Sequence, residues 1–164
     1  MKILTFIIAL AGFVLSLSQW IYVLCSKRTN FNVILENVEK ADSRHIYTFT
    51  FMIKNLSSAP LVITRTSINN VNCLLLPCWI GERYYPKYQE TDIPVTERIF
   101  SSGMPLNIPS HSSAIHTIAF KTTSDTDFIL NNPATVLFST DKAEKVFTLS
   151  LPKPKPLLEN GPVI

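Results

Sequence analysis

Histidine and aspartate residues are the first candidates for chemistry in this chain of 164 residues. His111 and His116 are five positions apart, and on a strand that odd offset places their side chains on opposite faces. Asp125 and Asp127 carry oxygen atoms that could bind a cation, but the glycine and distal glutamate of a calcium loop are absent. We expect ordinary turn and surface residues here. The alternative left open is a membrane-bound hydrolase or metal-dependent enzyme with a site near His111, His116 and Asp125.

The cysteines and glycines indicate no further reactive centre. Cys73 and Cys78 lack the second ligand pair that a structural zinc site needs, so small buried thiols are predicted, with a disulfide between them as the alternative. Only four glycines occur, and Gly81 and Gly103 are too far apart to form a phosphate-binding loop. No G-x-S-x-G elbow is present. We therefore predict no catalytic residue, no cofactor and no metal ion.

One ten-residue stretch combines aromatic rings with cations. Aromatic and arginine side chains dominate the energetics of protein interfaces, and cation–π contacts suit such a mixture. The first interpretation is an edge hairpin whose rings cover the core of the domain, and the hypothesis kept beside it is that this hairpin is an interaction surface. The candidate residues are Trp79, Arg83, Tyr84, Tyr85, Lys87 and Tyr88.

The elements that must position these residues have the periodicity of strands. Tyr47, Phe49, Phe51 and Ile53 are separated by single residues, a period of two that is typical of a half-buried strand. No convincing amphipathic helical stripe follows residue 30. Many short strands at nearly regular spacing indicate an antiparallel sandwich or barrel. Further strands are predicted at residues 31–38, 61–68, 71–76, 83–88, 96–100, 114–120, 136–138 and 147–151, the last two forming a hairpin.

The N-terminal segment has a different character, because no charged residue occurs between Ile3 and Leu24. A helix needs about 20 apolar residues to cross a hydrocarbon core of about 30 Å, and it satisfies its own backbone hydrogen bonds in lipid. Trp20 and Tyr22 lie near one end, where amphipathic rings prefer the headgroup region. A cleaved signal peptide would be shorter and would end in small residues. An uncleaved, single-pass transmembrane helix in the lipid bilayer is therefore predicted.

The charges bear on orientation and on partners. Lys27, Arg28, Lys40 and Arg44 follow the predicted helix, and cations near a membrane tend to stay cytoplasmic. The bias favours a cytoplasmic domain, but a long domain can translocate despite its charges, so the side stays open. The net charge of +3 is dispersed along the chain. A nucleic-acid-binding protein would show a dense basic stripe, so no nucleic acid partner is expected.

A resemblance rests on two segments of the predicted domain. Residues 49–63 comprise an alternating strand, an Asn-x-Ser turn at Asn55 and Ser57, a proline and a returning apolar strand. Ile108-Pro109, Ser112 and a strand ending at Phe120 follow later. The chain thereby resembles the small membrane-anchored immunoglobulin (Ig)-like proteins of Gram-positive bacteria and their mobile elements. The resemblance implies an all-β fold, an Ig-like antiparallel β-sandwich of about seven to nine strands, and it implies no activity.

These observations divide the chain into an anchor with its flanks (1–28), an Ig-like domain (29–151) and an extended Pro- and Lys-rich tail (152–164). Alternate tail residues are prolines without an N–H donor, so a solvated polyproline-like arm is expected, with a docking peptide as the alternative. The predicted function is a non-enzymatic, membrane-tethered binding or accessory module for another protein or an envelope component. A structural subunit of a membrane complex is a further alternative.

Overall fold

The computed structural model describes residues 2–26, 29–85, 95–122 and 131–158. One helix is followed by strands, so the predicted all-β domain with antiparallel sheets is confirmed. The elements are α1 (Lys2–Ser26), β1 (Phe31–Ala41), β2 (Ile46–Asn55), β3 (Leu61–Ile68), β4 (Val71–Asn72), β5 (Trp79–Tyr85), β6 (Val95–Phe100), β7 (Leu106–Ile108), β8 (Ser113–Lys121), β9 (Ala134–Thr140), β10 (Glu144–Leu149) and β11 (Lys155–Pro156).

Within the described ranges the strands form two larger sheets and one two-stranded sheet. The first sheet has the order β11-β1-β2-β8, and in it β11 runs parallel to β1. The second has the order β10-β9-β3-β4, with β7 also paired to β3. The third sheet is the hairpin of β5 and β6. The register between β1 and β2 shifts between Leu35 and Asn37. Side chains alternate between the two faces of β1 on both sides of this irregularity.

The main core combines residues from both larger sheets. Strand β2 contributes Phe49, Phe51 and Ile53, and β9 contributes Val136 and Phe138, all with no exposed surface. The Phe51 and Phe138 rings lie edge to face at a centroid distance of 5.5 Å, an arrangement that aromatic quadrupoles favour. Alternation of apolar residues along β2 therefore predicts the buried face correctly.

A second, smaller core lies on the other face of the first sheet. Ile46 of β2 and Ala119 of β8 pack there against Ile80 of β5 and Ile99 of β6, and Leu157 of the tail completes the cluster. The β5–β6 hairpin is thus fixed by its own isoleucines and by the tail.

Most predicted strands are present, but the one at 71–76 is wrong. Only Val71–Asn72 is a strand, paired with β3. Cys73 then forms an isolated bridge with Phe120 of β8, and the Leu74 amide donates to the Ala119 carbonyl. The apolar run is a connection from the second sheet to the first, which periodicity within one segment does not reveal.

The expected solvated arm after Leu151 is also wrong for the described residues. Residues 155 and 156 form β11 beside β1, and Leu157 is buried. The alternating prolines permit this, because successive backbone groups of an extended chain point to opposite sides. The Leu157 amide, directly after Pro156, donates to the Lys40 carbonyl at 2.9 Å. Residues 159–164 lie outside the described part.

Helix α1 contains the whole of the predicted transmembrane segment. Side chains are described at residues 7, 8 and 10–23, and all of them are exposed. The described members of both apolar clusters come from residues 31–157. Taking only the residues described, no helix is both long and apolar enough to pass through a membrane. The side chains at 3–6, 9 and 24, which belong to the predicted segment, lie outside the described part.

Candidate functional site

The predicted interaction surface lies on the β5–β6 hairpin. Trp79, Arg83, Tyr84 and Tyr85 all belong to β5, while Lys87 and Tyr88 lie outside the described residues. Ile80 on this strand is completely buried. Isoleucines, rather than the aromatic rings, therefore fix the hairpin to the first sheet, while Trp79 and Tyr85 are half-buried and Tyr84 is exposed.

An ion-pair network holds Arg83 in place. Its Nε donates to the Glu39 carboxylate of β1 at 2.6 Å, and its Nη1 lies 3.1 Å from the Glu97 carboxylate of β6. The Tyr85 hydroxyl accepts from Arg83 at 2.9 Å and donates to Glu97 at 2.9 Å. The Glu39 residue is 1% exposed. The hydrogen bond with Glu39 raises the pKa of Arg83 further above the ordinary arginine value, so this guanidinium is a permanent cation.

The other rings of the surface differ in how far they are engaged. The guanidinium carbon of Arg44 lies 4.3 Å from the Trp79 ring centroid, and Arg44 Nη1 donates to the Trp79 carbonyl at 3.2 Å. Trp79 is half-buried, whereas Tyr84 is 52% exposed. Tyr84 is consequently the described ring of the surface that is most accessible to a partner.

A pocket of about 490 Å³ opens beside this network. Its described lining comes from both strands of the hairpin, with Arg83 and Tyr85 from β5 and residues 95–97 from β6. Val95 supplies an apolar wall and Glu97 a carboxylate. The described lining therefore combines apolar, aromatic and charged groups.

The histidines do not form a common site in the described part of the chain. His111 is exposed in a turn with a positive φ of 52°, and Asp125 and Asp127 lie outside the described residues. His116 on β8 instead approaches Ser102, whose Oγ is 3.3 Å from Nδ1. A nucleophilic serine needs a histidine oriented by a third group, but the buried Nε2 of His116 has no partner. Among the described residues, no group of three potential metal ligands occurs.

The two cysteines of the domain carry free thiols. Cys73 is buried, as predicted, and burial raises the pKa of its thiol. Cys78 is half-buried, with its Sγ 3.3 Å from Ser101 Oγ. These cysteines therefore serve as packing and hydrogen-bonding groups.

Sequence reasoning missed the residues that position the surface. Glu39, Arg44 and Glu97 come from β1, the β1–β2 turn and β6, and Glu39 is 44 positions from Arg83 in sequence. The available signal was a glutamate on a strand, next to the apolar Val38 and two positions before Ala41. A buried carboxylate needs a cationic partner, although the sequence does not say which one.

Comparisons with known proteins add no relative. No protein-family model matches the chain, and no curated protein is significantly similar to it.

Proposed function

We propose that the chain is a non-enzymatic binding or accessory module, tethered to a membrane through residues 3–24, whose partner is another protein or an envelope component. The observation that carries the proposal is the pairing of an exposed Tyr84 with an Arg83 held rigidly by Glu39 and Glu97. Binding surfaces combine such pre-ordered polar groups with accessible aromatic rings.

The strand order supports an Ig-like sandwich for the domain. In Ig folds the first two strands pair with the fifth in one sheet, while the third pairs with the last two in the other. Here β1, β2 and β8 are neighbours in the first sheet, and β3, β9 and β10 are neighbours in the second. The β5–β6 hairpin is then an insertion between the third strand and the later ones, which is a common place for a binding element.

The proposal of a tether is supported by the surface of α1. Exposed apolar residues include Ile8, Phe13 and Leu15, and a continuous apolar surface requires a cover. Ser16 and Ser18 donate their hydroxyl hydrogens to carbonyls within the helix, so these polar groups are satisfied without water. The full run of 22 residues from 3 to 24 contains no charge in the sequence.

The proposed cytoplasmic orientation rests mainly on Lys27 and Arg28. Lys40 forms an ion pair with Asp42 at 3.0 Å, and Arg44 stacks on Trp79, so these two cations have roles inside the domain. Protease accessibility on intact and lysed cells tests the orientation. Protection of the domain in intact cells supports a cytoplasmic location, and cleavage contradicts it.

Crosslinking and pull-down of the full chain test the binding surface. Tyr84→Ala is expected to lose the partner, because it removes the accessible ring. Val146→Ala, which removes an equally exposed apolar side chain from β10, is the matched control and should retain it. Equal retention by both variants contradicts the proposed surface. Identification of the captured partner also separates a binding module from a structural subunit of a larger complex.

A further inference from the structure

We propose that the groove between β1 and β5 is an acceptor site for an extended strand, and that two copies of this chain associate by exchanging their C-terminal strands through it. In the structure the groove is filled by residues 155–158 of the same chain. This interface adjoins the proposed partner surface, because Glu39 borders the groove and also pairs with Arg83.

The groove receives a strand on both of its sides. On one side Lys155 and Pro156 are in register with Glu39 and Lys40 of β1. On the other side Glu82 and Leu158 exchange both backbone hydrogen bonds, each at 2.8 Å. Between them Leu157 enters the smaller apolar core beside Ile80. The tail thus joins the hairpin to the first sheet as an inserted strand.

Gly81 is the feature of β5 that admits this strand. A Cβ atom at position 81 would lie 2.9 Å from the Leu158 carbonyl oxygen and 3.1 Å from the Leu157 Cβ. Real Cβ atoms do not approach backbone this closely, so any larger residue would force the tail to move. The absence of a side chain at this position creates the space that the tail occupies.

The inserted strand is suited to exchange. Leu151, the residue before the tail, is held in place because Asn132 both donates to the Leu151 carbonyl and accepts from the Leu151 amide. The following residues 152–154 contain two prolines, which favour an extended chain that does not fold back. Prolines at 152, 154 and 156 carry no N–H donor, so the amides of Leu157 and Leu158 supply the donors at the C-terminal end of the strand. In a pair of copies, each groove would receive the same residues with the same contacts, so the exchange has a low cost in free energy.

Disulfide trapping between two differently tagged full-length copies tests the exchange. One copy carries Glu82→Cys and the other Leu158→Cys. Hydrogen-bonded antiparallel pairs have Cα atoms about 5.5 Å apart, which lies within the range of about 4.4–6.8 Å for a disulfide. Mass spectrometry of the linked peptide distinguishes an 82–158 bond from bonds of the native cysteines. A single chain with both substitutions is the control for the geometry, and Gly81→Val in either format should abolish the bond.

The expected result is an 82–158 disulfide between the two tagged copies as well as within the doubly substituted chain. A bond that forms within the single chain and never between copies overturns the proposal. The tail would then occupy only the groove of its own chain. Absence of the 82–158 bond both within the single chain and between copies also overturns the proposal, because the tail would not then occupy the groove. Neither outcome depends on the identity of the partner at Tyr84.

Discussion

Glu39 and Arg83 form the most confined charged pair in the described part of the domain. Glu39 has 2% of its side chain exposed, and Arg83 has 29%. Removing one member of such a pair leaves a charge without compensation in a poorly solvated place, and the penalty exceeds the contribution of the intact pair. Arg83 therefore contributes both to the stability of the hairpin and to its surface.

Arg83→Met is expected to lower the free energy of unfolding by about 3 kcal/mol, because it leaves the buried Glu39 carboxylate without its cation. Arg98→Met is the control, since the Arg98 side chain is 62% exposed and its contact with Glu82 is longer, at 3.5 Å; its loss should cost less than about 1 kcal/mol. Urea unfolding of both variants gives the comparison. Equal losses in the free energy of unfolding would show that the buried pair contributes no more to stability than the pair of Arg98.

His116 gives the domain a defined dependence on pH. Burial lowers its pKa below the ordinary value of 6.5, so the folded state binds fewer protons than the unfolded state as the pH falls below that value. Stability is then complete above 6.5 and decreases as the pH falls toward the folded-state pKa.

Replacing His116 with Leu should remove this part of the pH dependence and should cost little stability at neutral pH, because the unpartnered Nε2 disappears. Urea unfolding at a series of pH values from about 8 to about 5 measures the effect. An unchanged slope in the variant would mean that His116 does not titrate differently in the two states.

Asn55 shows what the sequence can reveal about a single residue. Its place in the Asn-x-Ser turn marked it as a structural residue, and the structure gives the reason. The buried amide donates to the carbonyls of Ala59, Ile108 and Pro109, and the side-chain oxygen accepts from the Ser57 amide. The turn was predictable because its bonds are local, but the contacts with 108 and 109 depend on the folded chain.

Among the elements, those with a regular internal pattern were the predictable ones. Strands β2, β3 and β8 have alternating residues that identify them without knowledge of their neighbours. Strand β7, with three residues, and β11, with two, have no pattern of that length. They exist because β3 and β1 offer backbone edges, and a sequence window contains no information about such edges.

The tail and the hairpin are expected to be energetically coupled through Leu157. Leu157→Ala should lower stability by about 2–3 kcal/mol, because it leaves a cavity in the smaller core. It should also increase hydrogen exchange of the β5 amides. Leu158→Ala is the control, because that side chain is 47% exposed and its backbone bonds remain. Similar exchange rates for both variants would show that the tail does not stabilise the hairpin.

For the whole molecule, composition and periodicity were sufficient to predict one helix followed by an all-β domain. The position of the β5–β6 hairpin was not predictable, because it depends on the smaller core that Ile80, Ile99 and Leu157 build from three separate segments. The described members of both cores come from residues 31–157. The exposed apolar side chains of α1 fit the proposed role of this helix as a membrane tether.

Extraction of membranes at alkaline pH tests the proposed tether most directly. The full chain is compared with a Leu10→Lys/Leu15→Lys variant, because a charge near the centre of a spanning helix costs about 3 kcal/mol per residue. A conservative Leu10→Met/Leu15→Met variant controls for the substitutions themselves. The proposal predicts that the full chain and the methionine variant stay in the membrane pellet and that the lysine variant is released. Release of the unaltered full chain into the supernatant would contradict it.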